Sequence, residues 1–157
     1  MTDALATATA ALSINPVDGS VHIAGCPFVL AKGVAKAVAA EQLSQFYRSK
    51  IDHRNGYEWM FFQGAAFGAQ PCGFGLCFHD GRLTELHFGV SLPDAPLEDG
   101  WPTREAIDQE ISFVRGELAR QCARTFQSGL EHFSWGVVWA QFDEKGGQAS
   151  AGVRYGA

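Results

Sequence analysis

Apolar and polar positions along the chain fall into stretches of period two separated by stretches near period 3.6, with turn residues between them. Val21-His22-Ile23-Ala24 and Phe28-Val29-Leu30 read as short strands broken at Gly25-Cys26-Pro27, after the turn Asn15-Pro16-Val17-Asp18-Gly19. From Val34 to Arg48, Val34, Val38, Leu43, Phe46 and Tyr47 recur at helical spacing with alanines between them, which predicts a first helix. His53-Arg54-Asn55-Gly56 closes that segment, and Tyr57 to Gln63 is a strand by composition. A glycine-rich stretch, Gly64 to Gln70, leads into Gly73–His79, Asp80-Gly81 and Arg82–Leu92, a hairpin with a two-residue loop of the kind in which both positions need positive φ. Leu92 to Pro102, with three prolines, reads as a loop.

Thr103 can cap a second helix whose stripe runs Ile107, Ile111, Val114, Leu118, Cys122, Phe126, ending before Gly129. Trp135 to Asp143, the turn Glu144-Lys145-Gly146-Gly147 and Gln148 to Tyr155 form a second hairpin. The expected architecture is therefore α+β: a single antiparallel sheet with two helices packed on one face, in the order ββ-α-βββ-α-ββ. Residues 15–157 make one domain behind a disordered leader, residues 1–14, rich in Ala and Thr.

Strand faces carry most of the functional information. With Asp80-Gly81 as the loop, an uninterrupted ladder pairs Phe78 with Leu83, Leu76 with Glu85 and Phe74 with His87 on one face. Gly73, Gly75, Cys77, Thr84, Leu86, Phe88 and Val90 then form the other face, suited to a helix. In the last hairpin, Val138, Ala140, Phe142, Ala149, Ala151, Val153 and Tyr155 form a helix-facing surface. Trp135, Val137, Trp139, Gln141, Ser150 and Arg154 share the opposite one. Two readings of the aromatic faces follow. Either the first strands, the long loop or a dimer mate covers them, or they form an open binding surface of Trp135, Trp139, Arg154, Glu85, His87 and Phe74, because aromatics and Arg anchor interfaces.

Composition narrows the chemistry. The 157 residues carry a net charge of −5, and their 12 Lys and Arg form no cluster, which argues against nucleic acid as a partner. No apolar run approaches the length of a membrane span and the start lacks the features of a secretory signal, so a cytoplasmic chain without a membrane partner is expected. Cys26, Cys72, Cys77 and Cys122 include no C-x-x-C pair, and reduced, metal-free thiols are expected. Gly73-Phe74-Gly75 lacks the third glycine and the helix of a dinucleotide loop, and the Asp143–Gly147 turn lacks the end of a phosphate loop. Glu85 and His87, two apart on one strand, are the candidate acid/base or metal pair, yet two ligands do not make a metal site. No cofactor is expected.

The C-terminal run Phe133-Ser134-Trp135-Gly136-Val137-Val138-Trp139, the turn Phe142-Asp143-Glu144-Lys145-Gly146-Gly147 and the closing Arg154-Tyr155 resemble a pattern in small uncharacterised bacterial proteins: W-G-x-V, aromatic-D-x-K-G-G and R-Y. The resemblance implies a fold and brings no established activity. Small acidic proteins of this kind are similar to immunity or accessory proteins of bacterial toxin systems. The sequence thus favours a non-enzymatic protein-binding domain, of which an immunity-type neutraliser of a toxin is one form. A small-molecule-binding domain or enzyme using Glu85, His87 and Arg154, and a homodimer with packed aromatic faces, stand as alternatives.

Overall fold

The computed structural model describes residues 10–156. Among these residues, twelve strands form three antiparallel sheets. The largest has seven strands, in the order β10 (Leu130–Phe133), β11 (Gly136–Asp143), β12 (Gln148–Tyr155), β7 (Arg82–Val90), β6 (Gln70–His79), β5 (Tyr57–Phe67), β4 (Tyr47–Asp52). β1 (Leu12–Ile14), β2 (Val21–Ile23) and β3 (Val29–Leu30) make a small sheet, and β8 (Leu97–Glu98) with β9 (Trp101–Pro102) a minimal ribbon. Among the described residues the helices are α1 (Lys36–Gln42) and α2 (Arg104–Cys122), and the α+β class and the large antiparallel sheet are as expected. Neither helix is long and apolar enough to cross a membrane.

One core joins these parts. Leu12, Ile14, Val21, Ile23 and Leu30 from the small sheet, Ala39 and Leu43 from the α1 region, and Val114, Leu118 and Cys122 from α2 all pack on the same face of the large sheet. That face is supplied by Met60, Phe62, Phe74, Leu76, Phe78, Leu86, Phe88, Val138 and Val153. The helix stripe behaves as its spacing predicts, with Ile107, Ile111, Val114, Leu118 and Cys122 buried. Thr103 Oγ1 accepts from the Ala106 N–H at 3.1 Å, satisfying one orphan donor of the first turn.

Four expectations change. Of the expected leader, residues 1–9 lie outside the described residues, whereas Leu12–Ile14 is a strand paired to Val21–Ile23 with Leu12 and Ile14 buried. The first helix is a single short helix, followed by a 3₁₀ turn at Ser44–Phe46 and then β4. All six β4 residues are exposed, and a strand that buries neither face leaves no period-two signal to read. Gly64–Gln70 is not a linking stretch: β5 runs on to Phe67 through an irregularity between Phe62 and Ala65, and the Gly68-Ala69 turn leads into β6. Finally, β10 precedes the last hairpin, and the Leu92–Pro102 loop contains the β8–β9 ribbon.

Candidate functional site

The central hairpin starts in the expected register, with Phe78 opposite Leu83, and then shifts: Cys77 pairs with Glu85, Leu76 with Leu86, Gly75 with His87 and Phe74 with Phe88. Thr84 is the extra residue, and its Oγ1 donates to the Cys77 carbonyl at 3.2 Å. The bulge turns Phe74, Leu76, Phe78 and Leu83 into the core. Phe74, expected in the binding surface, is only 3% exposed. Glu85 and His87 face away from the helices, as expected.

Opposite the helices, two registered rows cross all seven strands. One runs Ser49, Phe61, Gly75, His87, Gly152, Trp139, Leu130. The next runs Ile51, Trp59, Cys77, Glu85, Arg154, Val137, His132. The rings touch along and between these rows. The Trp59 and Phe61 rings are nearly parallel (6°) with centroids 6.0 Å apart, while His87 stands edge-on to Trp59 at 4.7 Å and to Trp139 at 5.0 Å.

Glycines make this possible. A Cβ on Gly152 would come within 2.8 Å of the Trp139 ring and 2.3 Å of the Leu86 carbonyl oxygen; on Gly75 it would press the Phe61 ring at 3.1 Å. The indole of Trp139 thus lies across the sheet over Gly152, with Nε1 donating to Ser150 Oγ at 2.9 Å.

Glu85 is the electrostatic centre. Arg154 Nε donates to its Oε1 at 3.0 Å, and His87 Nε2 forms a short contact with Oε2. Burial pushes the Glu85 carboxyl up, but the hydrogen bonds from His87 and Arg154 and the charges they bring outweigh it. The net effect holds the group below its usual range. The Arg154 guanidinium also lies 5.3 Å from the Trp139 ring centroid, within cation–π reach. On one side of His87, a groove of about 610 Å³ opens over Gly73 and Gly75, walled by Trp59, Phe61, Arg48 and His53. On the other, a smaller groove of about 470 Å³ lies beside Trp139, Arg154 and the Asp143–Lys145 turn. Among the described residues, no group of three or more His, Cys, Asp or Glu could hold a metal ion.

Trp139, Arg154, Glu85 and His87 are therefore brought together. Trp139 is 6% exposed, so it supports the surface from beneath more than it presents area to a ligand. Trp135 is elsewhere. It sits in the turn before β11, stacks on Phe133 with centroids 4.8 Å apart and donates from Nε1 to the Pro16 carbonyl at 2.9 Å. Strand alternation was carried one turn too far at that point, because the chain reverses at Ser134-Trp135. Trp59, Phe61 and Ile51 were missed as site residues. Tyr57–Phe62 is almost wholly apolar or aromatic, so its composition marks a strand without telling one face from the other.

The cysteines do not join the site as a reactive set. Cys72 and Cys77, five apart on β6, point to opposite faces, and burial pushes the Cys72 thiol up to about 12. Burial raises Cys77 as well, against an opposing hydrogen bond from Thr84.

No family model matches the chain, and no curated protein matches it. One chain of the solved structure "Rhs1-CT in complex with cognate immunity protein RhsI1" is similar, with a TM-score of 0.52 and 12% identity over 92% of this chain and 86% of that one. At that identity the likeness speaks for the fold.

Proposed function

We propose that the chain is a non-enzymatic protein-binding domain of the immunity type, which neutralises a bacterial protein toxin through the open face of its large sheet. The observation that carries this reading is the pair of rows on that face, where Ile51, Trp59, Phe61 and His87 lie around a largely covered Glu85 and the exposed Arg154 that pairs with it. Aromatic side chains beside an accessible Arg are the residue types that anchor interfaces, and the Arg154 side chain is 59% exposed. Ile51 is 48% exposed and Trp59 and Phe61 are half-buried, so apolar area remains to be covered. The fold shared with a chain from a complex containing a cognate immunity protein supports the same reading, as do the negative net charge and the C-terminal pattern described above.

The test is to clone the open reading frames flanking its gene, to co-express the chain with any that encodes a growth-arresting toxin domain, and to measure survival and complex formation. Rescue and a stable complex are expected. Trp59→Ala should then weaken binding by about 2 kcal/mol or more, with the variant still folded. A protein that binds no such toxin, or that instead dimerises through this face, overturns the proposal. A small molecule that saturates the groove and shifts His87 resonances would point to the ligand-binding alternative.

A further inference from the structure

The β8–β9 ribbon has no role in the core or the open face. Asp99 and Gly100 at its tip have φ of 52° and 82°, the conformation of a two-residue primed turn. Glu98 pairs with Trp101 and Leu97 with Pro102. Directly opposed residues share a face, so Trp101 lies beside Glu98 on one side of the ribbon and Leu97 beside Pro102 on the other. Every residue from 97 to 102 is exposed, Trp101 by 75% and Leu97 by 63%, so both sides of the ribbon stand in solvent. An indole contributes stability by being buried, and this one contributes almost none to the free chain.

The ribbon is nonetheless well held. Pro96 and Pro102 restrict its entry and exit. At its base, the Thr103 N–H and Oγ1 both donate to the Pro96 carbonyl, at 3.1 and 3.2 Å, while the same Oγ1 caps α2. A stiff, apolar projection loses little freedom on docking. Its surroundings are anionic: Asp94, Glu98, Asp99 and Glu105 are exposed and form no ion pair with other described residues. Arg104, the cation in this stretch, is occupied by Asp108 at 3.0 Å and by the Phe142 ring at 3.8 Å.

We propose that the Leu97–Pro102 ribbon is a second contact for the protein partner: a wedge that inserts Trp101 and Leu97 into an apolar cleft rimmed by Lys or Arg. It rests on the reading that the chain binds a protein toxin, and adds a surface and a partner chemistry to it. Complementary rim charge acts mainly on association rate and its salt dependence, while the buried indole acts on dissociation.

The experiment measures binding of the full chain to the toxin domain described above, at low and high salt, for wild type, Trp101→Ala, the double variant Glu98→Lys/Glu105→Gln, and Trp59→Ala. Trp101→Ala is expected to weaken binding at least about 30-fold. The charge variant is expected to slow association and flatten its salt dependence. Both should melt within about 2 °C of wild type, since the positions are exposed.

If both bind like wild type while Trp59→Ala is weakened, the wedge is overturned and the open-face reading stands. If Trp101→Ala alone is weakened, the wedge stands and the open face does not. A toxin that does not bind wild type overturns both. Light scattering that finds a dimer dissolved by Trp101→Ala would make a second copy the occupant, and overturn the proposal.

Discussion

The hairpins β11–β12 and β6–β7 belong to one sheet and carry similar alternations, yet they differ by one residue of backbone. In β11–β12, pairs run without interruption from Asp143–Gln148 to Gly136–Tyr155. Val138, Ala140, Ala151 and Val153 face the core, and Trp139, Gln141, Ser150 and Arg154 the open side, as alternation from the loop requires. In β6–β7 the Asp80-Gly81 loop sets Phe78 against Leu83, and Thr84 then drops out of the ladder. The reason lies in the side chains. Phe74, Leu76 and Phe78 on one strand and Leu86, Phe88 and Val90 on the other both need the core, and an uninterrupted ladder from that loop would put them on opposite faces. One extra residue reconciles them, and leaves Glu85 and His87 on the face that holds Trp139 and Arg154.

The comparison breaks most sharply at Phe74. With the bulge, Phe74→Ala should cost about 3–5 kcal/mol in urea unfolding, as for a buried aromatic; a cost under about 1 kcal/mol would restore the uninterrupted register. Next comes Gly152→Ala, where the added Cβ meets a carbonyl oxygen at 2.3 Å and the Trp139 ring at 2.8 Å. A loss of about 1–3 kcal/mol is expected, larger than for Gly75→Ala, whose Cβ meets the Phe61 and Trp59 rings at 3.1 and 3.4 Å. Equal costs would mean that the two hairpins are equally tight at this row.

Thr84→Val removes the bond that holds the bulge and should lose about 0.5–1.5 kcal/mol, with the Cys77 and Glu85 amides exchanging faster with solvent. The smallest effect is on pH dependence. Because the Glu85 carboxyl is held below its unfolded value in the folded chain, its contribution is present above the unfolded value and lost as pH falls through the folded one. Unfolding free energy measured between neutral and acidic pH should therefore fall less steeply in Glu85→Gln than in wild type, and an unchanged slope would remove Glu85 from the acid response.

Much of this was readable in the chain. The α2 stripe from Ile107 to Cys122, the Thr103 cap, both loops and the Gly152–Trp139 match depend on neighbours close in sequence or on a short turn. The α+β class follows from them. β4 was not readable, since six exposed residues carry no pattern, and neither were the faces of Trp59 and Phe61, which sit among apolar residues on both sides. Trp135 was misplaced because alternation ends where the backbone reverses.

By itself, then, the sequence determined the α2 helix, the two hairpin loops and the α+β class, and set Glu85 with His87 and Trp139 with Arg154 on the faces of their own hairpins. Only the tertiary structure decided where Thr84 leaves the ladder, that Phe74 is core, that Trp139 is covered by its neighbours and that Trp101 is not. The physical reason is the same in each case. A side chain's burial depends on what lies across the sheet or over it, and those partners, such as His87 against both Trp59 and Trp139, are distant in the chain and meet only after the strands have paired.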